Sequence, residues 1–149
     1  MRRRYRPDGY VMSKEHAIRS LFMSDEDAIR RTIAQYCQLC DDGHFDEWAD
    51  LYTDDATFSV MGKTYTGRAD VTAFIEKGQP PDKRGKHICF NSVIDIDPDG
   101  DSARAWTDYV FMDRDRAITS AGRYHDRFVR HPDRWRFAER RIVFLGDAL

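Results

Sequence analysis

The C-terminal half of the sequence contains four strand-like runs joined by very short connections, and this pattern limits the fold more than any other feature. The connections, PDGD, RDR and HPDR, are short enough for antiparallel hairpins. The sequence therefore predicts a long antiparallel meander, with no internal repeat and no second domain. Its four runs are His87–Asp97, Ala103–Met112, Ala117–Val129 and Trp135–Leu145.

Helical patterns come before the meander. Ser24 with the three acids after it is a typical helix start, and Gly43 is a natural end. A short amphipathic helix follows, then two strands over Ala56–Met61 and Lys63–Thr66, then a third helix over Arg68–Lys77. One face of the first helix carries apolar side chains at steps of three and four: Ile29, Ile33, Tyr36, Cys37 and Cys40.

Helices that precede an antiparallel meander are typical of an α+β fold. We expect the N-terminal helices to pack on one face of a strongly curved, mostly antiparallel sheet, which then forms a cone with an interior. The chain of 149 residues is long enough to bury a substantial core in one domain. We assign that domain to residues 24–149. Residues 1–23 form an N-terminal extension that starts with the basic stretch MRRRYR.

Composition excludes some classes of function. The 24 Lys and Arg residues against 26 Asp and Glu residues give a net charge of −2, which argues against general nucleic-acid binding. No apolar run of about 18 residues offers a membrane span. The basic start is not followed by the apolar stretch of a secretory signal. We therefore expect a cytoplasmic protein.

Two stretches resemble metal sites but have better explanations. Cys37 and Cys40 form a CxxC, yet the motif lies inside a helical pattern and no second CxxC follows, so two small buried hydrophobes explain it better. The stretch that begins at Asp95 matches the start of a calcium loop, but its twelfth position is Trp106 where a glutamate is needed. We therefore expect no metal and no cofactor.

One histidine stands out among the five because of its strand. Alternation along KHICFNSV places His87, Cys89 and Asn91 on one face. An imidazole titrates near pH ~6.5 and can accept a proton at working pH. A carboxylate at its other nitrogen would fix the tautomer, and Asp41, at the edge of the apolar stripe of the first helix, is the candidate. From the residues alone, this pair is either catalytic or structural.

At these residues a family resemblance emerges. The order is a helix with Tyr-x4-Asp, a short helix with Trp, the stretch LYTDDATF, a glycine-led third helix, and H-x3-N opening a meander. This order resembles the SnoaL-like branch of the NTF2-like superfamily over about residues 24–146. Scytalone dehydratase, bile-acid dehydratase and ketosteroid isomerases are among its members. The resemblance implies a cone-shaped barrel with a deep, mainly apolar pocket, and a homodimer or homotrimer.

The resemblance also implies roles for individual residues. Asp41 and His87 match the catalytic dyad of the dehydratases, and Tyr36 matches the tyrosine that bile-acid dehydratase places five residues before its aspartate. Later positions depart from the pattern. The acid and the arginine of bile-acid dehydratase fall on Val110 and Phe144.

The sequence also departs from the pattern of scytalone dehydratase. Its paired tyrosines fall on Cys40 and Val60, and its asparagine falls near Tyr124. The dyad is therefore kept while the residues that would recognise a substrate differ. We expect the following residues to bind substrate: Phe58, Val60, Asn91, Trp106, Val110, Tyr124 and Phe144.

These expectations together predict a cofactor-independent, dehydratase-like lyase for a small hydrophobic cyclic substrate of steroid, polyketide or aromatic type. Three alternatives stay open. The same base could serve an isomerase of the ketosteroid type. The domain could bind a hydrophobic ligand without catalysis. It could also be an assembly subunit, as in the ring-hydroxylating dioxygenases that share the fold.

Overall fold

The computed structural model describes residues 23–147. Nearly all of the predicted N-terminal extension, residues 1–23, therefore lies outside the described residues. The helices are α1 (Asp25–Asp42), α2 (Phe45–Ala49) and α3 (Arg68–Gly78). The strands are β1 (Tyr52–Val60), β2 (Lys63–Thr66), β3 (Lys86–Ile96), β4 (Ser102–Met112), β5 (Ile118–Arg130) and β6 (Trp135–Phe144).

The ends of α1 are set by the residues that the sequence predicted. The Ser24 hydroxyl accepts a hydrogen bond from the Asp27 backbone N–H at 3.1 Å and caps the first turn. Gly43 adopts a left-handed conformation, φ 76°, which glycine reaches without steric cost, and its N–H bonds the Cys40 carbonyl. The predicted apolar face is buried. Both predicted ends of this helix are confirmed.

In the described part of the chain, six strands form one mixed sheet in the order β2-β1-β6-β5-β4-β3. All neighbouring strands are antiparallel except β1 and β6, which are parallel. The curved sheet and the helices packed on it form the expected cone-shaped α+β fold. The predicted boundaries of the other strands and of α3 lie within one residue of the observed ones, but β1 begins at Tyr52 rather than Ala56. Tyr52 pairs with Phe137 of β6, a long-range parallel contact that no local pattern encodes.

Cross-strand pairs define which side chains face the helices. His87 pairs with Phe111, Cys89 with Tyr109, and these positions form the inner face of the sheet. Side chains alternate between faces along a strand, so the residues between them point outward. Packing of α1 and α2 on the inner face buries an aromatic cluster whose members are Tyr36, Trp48, Tyr52, Phe58, Tyr124 and Phe137.

Two predicted substrate-binding residues lie on the other face of the sheet. Val110 pairs with Ile88, and Trp106 pairs with Val93, which is 60% exposed. The prediction that Trp106 and Val110 line the interior is therefore wrong. Val110 was placed by counting from Trp106, and because Trp106 itself points outward, Val110, four residues later on the same strand, points outward too.

Asn91 does not lie on the inner face either, contrary to the prediction. The pairing of β3 with β4 goes from Phe90 directly to Ser92, so Asn91 is the extra residue of a β-bulge. Asn91 has φ 50° and is exposed. Ser92 takes the next inner position and its hydroxyl contacts that of Thr107 at 3.0 Å. The bulge ends the alternation that would have placed Asn91 on the same face as His87.

A buried ion pair links the two central strands of the inner face. Arg140 of β6 donates from Nε and Nη2 to the two carboxylate oxygens of Asp126 of β5, at 2.7 and 2.8 Å. Both side chains are fully buried. The guanidinium also lies over the rings of Tyr36, Tyr124 and Phe137, with Cζ 4.2, 3.8 and 4.4 Å from their centroids.

Breaking this pair should strongly destabilise the fold. Asp126→Asn leaves the Arg140 charge buried without its counter-charge, which typically lowers the free energy of unfolding by about 3–5 kcal/mol. Chemical denaturation of the two proteins measures the difference. Asp108→Asn is the matched control, because Asp108 makes the equivalent cross-strand contact to Arg123 at the surface and should leave stability nearly unchanged. An equal decrease in the free energy of unfolding in the two variants would contradict the stabilising role of the buried Asp126–Arg140 pair.

Candidate active site

The side chain of Asp41 joins α1 to the start of β3. One carboxylate oxygen lies 2.6 Å from Nδ1 of His87, and both oxygens lie 3.1 Å from the backbone N–H of the same residue. The carboxylate is 2% exposed and the imidazole 10% exposed. Lys86, which is largely exposed, places its ammonium 4.0 Å from the second oxygen. The structure therefore brings together the acid and the histidine singled out in the sequence.

The geometry fixes the role of each ring nitrogen. A carboxylate only accepts hydrogen bonds, so Nδ1 of His87 carries the proton that points at Asp41. In the neutral ring the lone pair then lies on Nε2, the nitrogen that faces away from the carboxylate. Such an imidazole can accept a proton at Nε2, and Asp41 stabilises the cation that forms. The arrangement is chemically suited to general-base catalysis.

Aromatic rings hold the imidazole from two sides. Tyr36 lies on α1, five residues before Asp41. Its ring meets the His87 ring edge-on, with centroids 6.0 Å apart. Phe111, on the neighbouring strand, lies 4.8 Å from it. Burial raises the pKa of the Tyr36 phenol well above its usual range, so its hydroxyl stays protonated and can donate a hydrogen bond.

The remaining predicted site residues differ in burial. Phe58, Val60 and Tyr124 lie in the buried core. Tyr124 stacks on Tyr109 with centroids 4.2 Å apart, and Phe58 packs near Phe74. Whether these three residues contact a ligand stays a prediction.

Phe144 is partly buried against the same core and pairs with Gly122 on the inner face. Ser120, also on the inner face, pairs with Phe111 and bonds the Tyr109 hydroxyl at 3.0 Å. The inner face is therefore more open around His87, Phe111, Ser120 and Phe144 than it is deeper inside.

Sequence reasoning missed Arg140 as an inner residue. Strand alternation counted from Trp135 and Phe137 points Arg140 outward. The register of β5 and β6 skips Ala138, and this irregularity turns Arg140 inward. One of its nitrogens, Nη1, and two further donors, Trp48 Nε1 and the Tyr52 hydroxyl, are buried without a hydrogen-bond partner among the described residues. No sequence signal marks a bulge of this kind.

The structure offers little support for other kinds of site. Within residues 23–147, no group of three or more His, Cys, Asp or Glu side chains could hold a metal ion. The candidate calcium stretch forms the β3–β4 turn, where Asp99 accepts from the backbone N–H groups of Asp101 and Ser102. None of the helices in the described part of the chain is long and apolar enough to cross a membrane.

Comparisons with known proteins agree with this architecture. A family model described as a SnoaL-like domain matches residues 22–141. None of the curated protein sequences matches the chain. Among solved structures, an NTF2-like protein with a cystatin-like fold from Novosphingobium aromaticivorans superposes with a TM-score of 0.73 at 24% identity. That match covers 91% of this chain and 92% of the other.

Two further structures from the same organism share the fold. A provisionally named scytalone dehydratase superposes with a TM-score of 0.70 at 22% identity, covering 89% of each chain. The beta subunit of a provisionally named aromatic-ring-hydroxylating dioxygenase superposes with a TM-score of 0.65 at 22% identity, covering 89% of this chain and 93% of the other. At these identities the likeness concerns the fold.

The tautomer of His87 can be measured directly. In its neutral form the ring should carry its proton on Nδ1, because Asp41 accepts from that nitrogen. Long-range ¹H–¹⁵N NMR of the imidazoles distinguishes the two nitrogens. Asp41→Asn should shift the ring toward a mixture of tautomers, whereas Asp42→Asn, the neighbouring acid, should leave it unchanged. A proton found on Nε2 in the unaltered protein would contradict this geometry.

Proposed function

The chain belongs to the SnoaL-like domain family, and from that premise we propose that it is a cofactor-independent, dehydratase-like lyase for a small hydrophobic cyclic substrate. The single observation that carries the proposal is the 2.6 Å contact between Asp41 and Nδ1 of His87. A histidine oriented in this way has its other nitrogen available as a base. The nearby aromatic side chains suit a ring-shaped, mainly apolar substrate.

The proposed reaction begins with proton transfer to His87. Nε2 removes a proton next to a carbonyl of the substrate, and Asp41 stabilises the imidazolium that forms. Tyr36 donates a hydrogen bond to the carbonyl oxygen as negative charge develops on it. The imidazolium then returns its proton to a departing hydroxyl at the adjacent carbon, so water leaves and a double bond forms. Neither a metal nor a cofactor takes part in these proposed reaction steps.

We place the substrate at the more open end of the inner face. Phe111 and Phe144 offer apolar ring contacts there, and the Ser120 hydroxyl offers a hydrogen bond. The buried Asp126–Arg140 pair supports the site by holding Tyr36 in place, because the guanidinium lies over the Tyr36 ring and limits its movement. Phe58, Val60 and Tyr124 would shape the inner end of the space.

An isomerase of the ketosteroid type uses the same base and stays the second candidate, since the same proton could return to a different carbon of the substrate. Binding without catalysis and service as an assembly subunit are further alternatives. One structural neighbour is named as a dioxygenase beta subunit. The cytoplasmic location and the absence of a cofactor remain predictions.

Variants of the dyad test the reaction. His87→Ala should lower turnover about 10²–10⁴-fold through loss of the base, and Asp41→Asn should lower it through loss of the oriented tautomer. The compounds to be tested are hydroxylated cyclic ketones from steroid, naphthol-derived and terpenoid series. They are first ranked by how much each raises the melting temperature of the protein. Mass spectrometry follows the loss of water and, in D₂O, the uptake of deuterium next to the carbonyl.

The outcomes separate the candidates. Loss of water indicates a lyase, whereas deuterium uptake with a rearranged double bond at unchanged elemental composition indicates an isomerase. Asp42→Asn is the matched control and should keep full turnover. Ligand binding without turnover or exchange would point to a binder. If both dyad variants, shown by circular dichroism to be folded, turned a substrate over at the normal rate, the proposed base would be wrong.

We also propose that the protein forms a homo-oligomer through the outer face of the sheet. Ile88, Phe90 and Val93 on β3 are 42%, 43% and 60% exposed. Trp106 and Val110, whose outward direction was unexpected, extend this apolar surface onto β4. Adjacent apolar side chains exposed on one face are typical of protein interfaces.

Charge on that surface should break the assembly. Val93→Arg is expected to lower the mass measured by light scattering to that of a single chain, because burying an unpaired guanidinium in an apolar interface is unfavourable. Met61→Arg is the matched control: Met61 is 78% exposed in the β1–β2 turn, away from β3. An unaltered protein that is already a single chain, or a Val93→Arg variant that keeps its mass, would contradict the proposal.

A further inference from the structure

Two thiols from distant parts of the sequence meet beside the candidate active site. The sulfur atoms of Cys37 on α1 and Cys89 on β3 lie 3.2 Å apart, although 52 positions separate them in sequence. Cys37 is one helical turn before Asp41, and Cys89 is two residues after His87 on the same face of β3. The sulfur pair and the dyad therefore connect the same two elements.

We propose that Cys37 and Cys89 are a redox modification site, at which mild oxidation forms a disulfide that fastens α1 to β3 beside the dyad. A disulfide needs a sulfur–sulfur distance of about 2.05 Å, so the two sulfur atoms have little more than 1 Å to close. The thiol that faces Cys37 at this distance belongs to Cys89, which is not part of the CxxC motif.

The two thiols differ in a way that assigns their roles. Cys89 is partly exposed, and the hydrogen bond from the Cys37 thiol lowers the pKa of Cys89. Cys37 is buried, and the same hydrogen bond together with burial raises its pKa. Thiolate character and access determine which cysteine meets an oxidant first. Cys89 is therefore the attacking thiol and Cys37 the resolving thiol.

With hydrogen peroxide as the oxidant, the chemistry balances in two steps. The Cys89 thiolate attacks one peroxide oxygen and, with one proton taken up, gives a sulfenic acid and water. The Cys37 sulfur then attacks the Cys89 sulfur, the S–O bond breaks, and the hydroxyl leaves as water with the Cys37 proton. In total two thiols and one peroxide give one disulfide and two waters, and two electrons pass from sulfur to oxygen.

Cys40 provides an internal control. It is 1% exposed, and burial raises its pKa to about 12. A buried thiol of this kind reacts slowly with peroxide. The native fold should therefore direct oxidation to the Cys37–Cys89 pair, whereas an unfolded chain should favour the neighbouring Cys37–Cys40 pair through short loop closure.

Peptide mapping after peroxide treatment tests the proposal. The full chain is oxidised, its remaining thiols are alkylated in denaturant, and it is digested with trypsin without reduction. Cys37 and Cys40 share the tryptic peptide of residues 32–63, and Cys89 lies in that of residues 87–104. We expect a cross-link between the two peptides, with loss of two hydrogens, that a dithiol reductant reverses. Oxidation in guanidinium should give mainly the link within peptide 32–63.

Variants identify the partner and the consequence. The cross-link should persist in Cys40→Ser and disappear in Cys37→Ser and Cys89→Ser. The oxidised protein should also melt at a higher temperature, because the bond closes a long loop of the unfolded chain. A native link between Cys37 and Cys40, a link lost in Cys40→Ser, or three thiols that stay free after peroxide treatment would each overturn the proposal. These readouts do not depend on the proposed reaction, so either can fail alone.

Discussion

The contact between Asp41 and His87 is the interaction on which the arrangement of helix and sheet at the site depends. One buried carboxylate accepts from the backbone N–H and from the ring of the same residue, at the first positions of β3. β3 is an edge strand of the sheet, and no strand pairs with its outer edge among the described residues. The Asp41 side chain of α1 can therefore reach the free backbone N–H of His87 there. A carboxylate buried in this way must be hydrogen-bonded, since an unpaired buried charge is costly. The requirement for satisfied hydrogen bonds thus places the acid and the imidazole together.

The interior behind this contact combines polar and aromatic groups. Arg140 is neutralised by Asp126 and surrounded by three aromatic rings, so a full charge is tolerated in the middle of the cone. The inner face is most tightly packed around this guanidinium and becomes more open toward Phe111 and Phe144. The interior is densely packed at its centre and less so at one end, and the packing at the centre holds the side chains in front of it in place.

Local patterns predicted the parts of the structure that local physics determines. The capping hydroxyl of Ser24, the left-handed Gly43 and the short hairpin connections each act within a few residues, so α1 and the meander could be predicted from sequence. The bulges at Asn91 and Ala138 could not. Each adds one unpaired residue to a strand, and the parity of every later side chain then changes. Asn91 was placed inside and Arg140 was overlooked for the same reason.

The parallel pairing of β1 with β6 has a consequence for how the chain is made. The Phe137 backbone N–H bonds the Leu51 carbonyl, and β1, which pairs with β2 on one side, gains its second neighbour only when β6 has been made. During synthesis the ribosome must release almost the entire domain before that edge of β1 is covered. Long-range pairing of this kind slows folding and leaves an uncovered strand edge in nascent chains. The cone can therefore close only after β6 has been made. Chaperones that protect the free edge of β1 would act in the time between the synthesis of β1 and that of β6.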